Sequence, residues 1–416
     1  MQVVARALVV GLLLLSAVTA SAADLIVAKP ERVGLASERL ARITEMMKTD
    51  VEKGRMPGAV ALIARKGRIV YFETVGFRNK DAGTALRKDD IFRIYSMTKP
   101  ITSVAIMMLH DEGRLHLSDP ISKYIPPLGK LQVGVEQKDA TTGRVTLVME
   151  PSKRDMTIQD LFRHTSGLTY GVFGTGEVKK LYGEVGVDSR DITSSELIDR
   201  LAKVPLMYQP GTRWEYGRST DVLGRLVEVV TGKSLGEFFE ERIFRPLKMK
   251  DSGFQMPAEK KDRIAQPFAV DPDSGRPIAL FDPTGPPKYE SGGGGASSTA
   301  MDYARFAQML LNHGRFNGAR LLSRKTVELM TADHLGRIDG PGAGWGFGLG
   351  FAVRREAGTP GVPGSLGEYN WSGFGGTVFW IDPKEELIAV WMMQAPSQLR
   401  YYRQLYRTLV YQAIAD

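Results

Sequence analysis

Ser96-Met97-Thr98-Lys99 sets a hydroxyl and an amine three residues apart, just ahead of Pro100 and a largely apolar run from Ile101 to Leu115. Residues three apart on a helix share a face, so the Lys99 amine can reach the Ser96 hydroxyl if this run is helical. The start of such a helix also offers unpaired N–H groups and positive potential to a developing oxyanion. This is the chemistry of a nucleophilic serine with an amine to manage its proton. To act as the base Lys99 has to be neutral, and burial on an apolar helix is what would lower its pKa from about 10.4. S-x-x-K is a weak pattern when alone, although Ser96 to Lys99 is its only occurrence in this chain. Gly232-Lys233-Ser234-Leu235-Gly236 offers a rival serine in the G-x-S-x-G pattern, with His313 or His334 downstream as nominal partners. A nucleophile elbow needs a strand before the serine and a helix after it. Ser234 instead follows the amphipathic segment Thr220 to Thr231 and fits an N-cap between two helices.

The elements that must position these groups follow from periodicity. Ser37 to Val51 carries Leu40, Ile43, Met46 and Met47 at helical spacing, with Ser37 placed as its N-cap. Ala59 to Ala64 and Arg68 to Val75 read as a hairpin turned at Arg65-Lys66-Gly67. A mainly helical stretch follows, with Thr157 to Arg163, Ser194 to Ala202, Thr220 to Thr231 and Ser234 to Phe244 as its clearest helices. Gly129 to Arg154 is a polar excursion with a β-like Arg144 to Met149, and residues 266 to 295 read as a long ordered loop. Beyond it come a helix from Thr299 to Leu311, another from Ser323, and β-like runs Phe347 to Val353, Gly376 to Ile381 and Glu386 to Met393. A last helix spans Ser397 to Ala415. This order predicts an α+β fold: one antiparallel sheet assembled from both chain ends, flanked by helices, with a mainly helical lobe inserted. The expected division is 23–100 plus 296–416 for the sheet domain and 101–295 for the lobe.

Composition narrows the function. Arg6, the apolar run Ala7 to Leu15 and the small residues ending at Ala20-Ser21-Ala22 read as a signal peptide over residues 1–22, cleaved after Ala22. The expected location is therefore the periplasm or the exterior, with no stable membrane anchor, since no segment approaches the roughly 20 apolar residues of a spanning helix. Formal net charge is +8, without a dense Lys/Arg stripe, so no nucleic-acid partner is expected. There are no cysteines, which excludes disulfides, thiolate metal sites and a cysteine nucleophile. Five scattered histidines form no ligand cluster, and no metal or organic cofactor is implied. Oligomeric state is not legible.

Read together, FRIYSMTKPITSVAIMMLHDEGRLHLSDPISKYIP, LFRHTSGL, QPGTRWEYGRSTDVLGRLVEVVTG, GGGGASSTAMDYARFAQMLLNHG and YNWSGFGGTVFW resemble the serine β-lactamase and penicillin-binding-protein superfamily. They are most similar to its class C branch and, within that, to the family VIII carboxylesterases, over about Glu31 to Ala413. The resemblance implies a β-lactamase/transpeptidase-like fold, Ser96 as nucleophile, Lys99 as its base partner, and Tyr216 as the tyrosine of the Y-x-N motif. Which of Lys99 and Tyr216 first takes the proton stays open. Trp371-Ser372-Gly373 stands where most lactamases have K-T-G, and the backbone N–H groups of Ser96 and Phe374 would form the oxyanion hole. Trp371 replaces a carboxylate-attracting lysine by an indole, as family VIII esterases do. Arg218 replaces the motif's asparagine and either attracts an anion or joins a structural ion pair. His164-Thr165-Ser166-Gly167 reads as a structural turn with Gly167 near a helix C-cap, and Gly292 to Gly295 as the loop opposite the nucleophile. The implied activity is a serine hydrolase that forms an acyl-enzyme on Ser96 and acts on a small ester or amide substrate. A carboxylesterase is the leading reading, with a β-lactamase or D-amino-acid peptidase as the alternative.

Overall fold

The computed structural model describes residues 25–416, so the leader read at 1–22 lies outside the described residues. The chain opens with β1 (Ile26–Val27), α1 (Ser37–Glu52), the hairpin β2 (Gly58–Arg65) and β3 (Arg68–Asn79), and the short strands β4 (Thr84–Ala85) and β5 (Phe92–Arg93). After α2 (Thr98–Asp111) the inserted lobe contains a hairpin, β6 (Gln132–Lys138) and β7 (Val145–Pro151). Its helices are α3 (Ile158–Phe162), α4 (Glu177–Glu184), α5 (Ser194–Leu201), α6 (Ser219–Thr231), α7 (Leu235–Phe239) and α8 (Arg245–Leu247). The chain returns through β8 (Ser297–Ser298), α9 (Ala300–Leu311), β9 (Arg315–Phe316), β10 (Ala319–Arg320) and α10 (Arg324–Thr331). It ends with β11 (Trp345–Phe347), β12 (Ala352–Arg354), β13 (Tyr369–Gly373), β14 (Thr377–Asp382), β15 (Leu387–Met393) and α11 (Leu399–Tyr411).

The main sheet runs β1-β3-β2-β15-β14-β13-β12-β11. The N-terminal hairpin is joined to the C-terminal strands where β2 pairs antiparallel with β15, Ala61 opposite Trp391. Within this sheet, among the described residues, only the short edge strand β1 pairs in parallel, with β3. β2 shows why both faces are covered. Ala59, Ala61 and Ile63 point into a core shared with α1 and α11, whereas Val60, Leu62 and Ala64 point into the larger core under α2, α9 and the lobe. Successive strand side chains alternate faces, and a strand apolar on both sides has to be sandwiched. Each aliphatic side chain so buried contributes about 1.5–3 kcal/mol relative to exposure. Glu368, just before β13, is fully buried between Arg354 (2.7 Å) and Arg407 of α11 (2.6 Å), which ties that strand to the terminal helix.

Several elements differ from expectation. The N-cap of α1 is Ala36 rather than Ser37, because the Ser37 N–H is taken by the Glu31 carboxylate at 3.0 Å. The run Phe347 to Val353 is not one strand. It turns back between β11 and β12, with Gly350 at φ 102, a conformation open to glycine alone. The β-like Arg144 to Met149 has a partner in β6, so the excursion is a two-stranded hairpin. Helix α4, within Gly-rich polar sequence, was not legible. Ser234 is the N-cap of α7, with its side chain accepting from the Glu237 N–H in a capping box, which removes it as an elbow nucleophile. Among the described residues no helix is long and apolar enough to cross a membrane, and no group of three or more His, Asp or Glu could hold a metal ion.

Candidate active site

Ser96 sits in a single 3₁₀ turn, Tyr95–Met97, that runs directly into α2. Tyr95 before it has φ 43, a left-handed conformation that costs a non-glycine residue about 1–2 kcal/mol. Surrounding contacts impose it. The Tyr95 ring meets Phe281 at 5.2 Å and Phe374 at 5.5 Å, the Tyr303 hydroxyl donates to the Met97 carbonyl at 2.9 Å, and the Ala296 N–H donates to Thr98 Oγ1 at 3.1 Å. β13 passes so close that a Cβ on Gly373 would lie 2.1 Å from the Ile94 carbonyl oxygen. Only glycine fits there, which explains the third residue of the Trp371-Ser372-Gly373 motif.

The predicted trio converges. Lys99 Nζ lies 3.1 Å from Ser96 Oγ, and the Tyr216 hydroxyl donates to the same oxygen at 2.8 Å. Lys99 is fully buried and also donates to the Gly293 carbonyl at 2.7 Å and the Tyr170 hydroxyl at 3.1 Å, so three acceptors meet its three N–H donors. The Tyr216 ring adds a cation–π contact at 4.6 Å. Burial works against the ammonium, but Tyr170, Tyr216 and the buried Asp221 carboxylate outweigh it and raise its pKa above the ordinary lysine value. The expectation that burial frees Lys99 of its proton is thereby reversed. Burial pushes the Tyr170 phenol up to about 12.

Tyr216 is held by the His164-Thr165-Ser166-Gly167 turn. The Gly211 N–H donates to the Thr165 carbonyl at 2.7 Å and the Glu215 N–H to the His164 carbonyl at 2.8 Å, so the turn is a template for the segment that ends at Tyr216. The turn is anchored in its own right: Thr165 Oγ1 donates to Asp160 at 3.0 Å, and Ser166 Oγ lies 2.9 Å from Ser219 Oγ. The residue that ends helix α3 in the left-handed region is His164 (φ 56), with Gly167 (φ 88) further on. The His164 ring lies 4.9 Å from that of Tyr216, and burial, aided by the Lys99 charge, holds its pKa well below the usual histidine value. A neutral imidazole in that place is packing rather than a proton shuttle. Tyr170, Trp214 and Trp371 complete an aromatic cage around Tyr216 at 5.4, 6.0 and 5.3 Å.

Trp371 and Ser372 are half-buried on β13, and the Trp371 indole N–H donates to the Tyr216 hydroxyl at 3.3 Å. The indole of the Trp371-Ser372-Gly373 motif is thus joined to the Tyr216 phenol. Phe374, in the turn after β13, leaves its ring half exposed at the mouth of the site. Among the described residues neither the Ser96 nor the Phe374 backbone N–H donates a hydrogen bond within the chain, so both are free for an oxyanion. Arg218 resolves into the structural alternative: its guanidinium pairs with Asp188 and, at 3.2 Å, with Asp221, above the Tyr170 ring. A cavity of about 400 Å³ opens from Ser96 between the 170–173 and 188–190 segments, Gly293-Gly294 and Phe374.

Three participants were not foreseen. Tyr170, the Gly293 carbonyl and Asp221 all act on Lys99, and the Asp221 carboxylate accepts from the Gly293 N–H at 2.9 Å and the Ser291 hydroxyl at 2.6 Å. Asp221 thereby fixes the peptide whose carbonyl holds Lys99. The Gly292 to Gly295 run signalled a loop at the site, and no residue pattern signalled the other two.

A buried lysine, a phenol and a serine hydroxyl in mutual contact, beside two free N–H groups, define a serine hydrolase in which histidine has no part. Residues 43–412 match the Beta-lactamase family, and the chain belongs to that family. Protein Rv1367c of Mycobacterium tuberculosis is 35% identical over 357 residues, 82% of this chain and 87% of that protein. Esterase EstB of Burkholderia gladioli is 30% identical over 369 residues, 83% of this chain and 88% of the esterase. The solved structure of EstCE1, described as a hydrolase with promiscuous acyltransferase activity, superposes with a TM-score of 0.74 at 26% identity, covering 90% of this chain and 99% of that one.

Proposed function

We propose that the chain is an exported carboxylesterase that forms an acyl-enzyme on Ser96. The observation that carries this reading is the Ser96 hydroxyl, 2.8 Å from Tyr216 and 3.1 Å from Lys99, in the lining of a pocket that it shares with the rings of Tyr95, Tyr170, Phe173 and Phe374. Tyr216 acts from its phenolate form, whose negative charge the Lys99 ammonium and the Trp371 N–H stabilise, and takes the serine proton as Oγ attacks the ester carbonyl, becoming a neutral phenol. The backbone N–H groups of Ser96 and Phe374 receive the oxyanion. Tyr216 then gives that proton to the departing alcohol, and the phenolate so regenerated deprotonates the water that releases the acid and passes the proton back to Ser96 Oγ. The name of Esterase EstB agrees with ester hydrolysis, and EstCE1 is described as a hydrolase. The leader read in the sequence supports export.

The alternative is a β-lactamase or D-amino-acid peptidase, which the same acylation machinery would serve. It needs a cation to attract the substrate carboxylate beside Tyr216, and an indole occupies that position. Hydrolysis of 4-nitrophenyl butyrate by wild type and its loss in Ser96→Ala, with nitrocefin turned over far more slowly, is the expected result. Ester hydrolysis unaffected by Ser96→Ala, or nitrocefin turnover as fast as that of the ester, would overturn the reading.

A further inference from the structure

We infer that Arg190 recognises a carboxylate at the far end of the substrate's acyl chain, so that monoesters of dicarboxylic acids are preferred; this rests on the ester reading above. The cavity beside Ser96 is walled by Tyr95, Tyr170, Phe173 and Phe374, yet it also holds two guanidinium groups, Arg190 and Arg218. The cations there differ in what already satisfies them. Lys99 commits its three donors to Ser96, Tyr170 and Gly293. Arg218 is paired with Asp188 and Asp221. Arg190 donates to the Gly294 carbonyl at 3.0 Å and lies over the Phe281 ring at 4.2 Å, and among the described residues it meets no carboxylate. Among the described residues, Arg190 is therefore the guanidinium of the cavity lining that has no carboxylate partner.

A guanidinium stacked on an aromatic face, with one N–H fixed to a carbonyl, is oriented and keeps further donors for a planar anion. The Arg190 side chain is solvent-exposed, so it stands at the rim of the cavity, where an incoming carboxylate can reach it. The end of the substrate concerned follows from the lining. The cavity is bounded by Ser96, Gly293 and Gly294 but not by Tyr216 or Trp371. Tyr216 hands its proton to the leaving oxygen, so the alcohol lies on the Tyr216 side and the cavity receives the acyl chain. A cavity lined in part by aromatic rings, with a guanidinium free of carboxylates at its rim, suits a short methylene chain that ends in a carboxylate.

The test compares mono-4-nitrophenyl adipate with 4-nitrophenyl hexanoate, which has the same chain length and leaving group without the charge. The kcat/KM ratio, adipate over hexanoate, should fall by about tenfold or more in Arg190→Gln, as expected for loss of a charge-assisted contact. Arg190→Lys should retain part of the ratio, and 1 M salt should shrink it in wild type. A ratio equal in wild type and Arg190→Gln would overturn the inference while leaving ester hydrolysis standing. So would an effect of Arg190→Gln confined to 4-acetoxybenzoate, whose carboxylate is on the leaving group. Wild type inert toward both nitrophenyl esters would instead overturn the ester reading and this inference with it.

Discussion

Replacing Tyr216 by phenylalanine removes one oxygen and leaves the ring in its cage, so chemistry and packing separate cleanly at this position. The lost oxygen contacts Ser96 Oγ at 2.8 Å and the Trp371 N–H at 3.3 Å, and it is the group placed to carry the proton while Lys99 is held as an ammonium. General acid–base catalysis contributes about 10²–10⁴-fold. kcat for 4-nitrophenyl butyrate should therefore drop by that factor, about 3–5 kcal/mol of barrier. KM should change little, since the acyl cavity is not lined by Tyr216. The ring contacts with His164, Tyr170 and Trp371 persist, so the fold should lose only about 1–2 kcal/mol, from the broken hydrogen bonds and the unpaired indole N–H. Steady-state kinetics beside thermal unfolding followed by circular dichroism reads both quantities. A folded Tyr216→Phe enzyme with kcat within tenfold of wild type would refute the assignment and make Lys99 the proton acceptor.

Two further outcomes follow from the supports of the site. A methyl group on Gly293 would lie 2.7 and 2.8 Å from the two Asp221 oxygens, which Arg218 and Ser291 respectively already hold, so Gly293→Ala should displace the carbonyl that holds Lys99. It should cost about 1–3 kcal/mol of stability by overpacking and lower kcat by a larger factor than it changes KM; unaltered kinetics would refute the role of that carbonyl. Asp160 is fully buried, and hydrogen bonds from Arg154 and the Thr157 N–H outweigh burial to hold its carboxyl down to about 2. A depressed folded-state pKa gives stability that is complete above the unfolded value near 4 and is lost as pH falls toward 2. Asp160→Asn should then cost about 2 kcal/mol at pH 7 and flatten the acid limb of stability between about pH 4 and 2. Urea unfolding across that range measures it, and an unchanged acid limb would be the contrary result.

What could be read in advance depended on how local the determinants are. Ser96 and Lys99 are three apart across the turn that leads into α2, and the β2–β3 hairpin shows as two β-rich runs either side of Arg65-Lys66-Gly67, so both are properties of short segments. Tyr216, the Trp371 motif and the oxyanion pair became visible only through the order of several motifs, none decisive by itself. Tyr170, Gly293 and Asp221 were missed because nothing local connects a phenol, a peptide carbonyl and a carboxylate from three separate segments; tertiary packing brings them to one amine. The same packing reverses the pKa argument for Lys99, because an apolar helix face suggests desolvation while the groups that counter it arrive from elsewhere. Ser37 was misjudged as a cap since a hydroxyl at a helix start is usually its own acceptor, and here the Glu31 carboxylate supplies that acceptor. The break between β11 and β12 hides in an apolar run whose only warning was its glycines.

Because β2 can complete its hydrogen bonding only with β15, Arg65 waits for the Glu385 carbonyl, 320 residues further along the chain. A ribosome at about 5–20 residues per second exposes that unmatched apolar edge for some tens of seconds before its partner emerges. Bridging so long a loop also makes folding slow relative to a chain of local contacts. Yield in a heterologous host is thus expected to depend on chaperones and growth temperature more than on the intrinsic solubility of the finished surface.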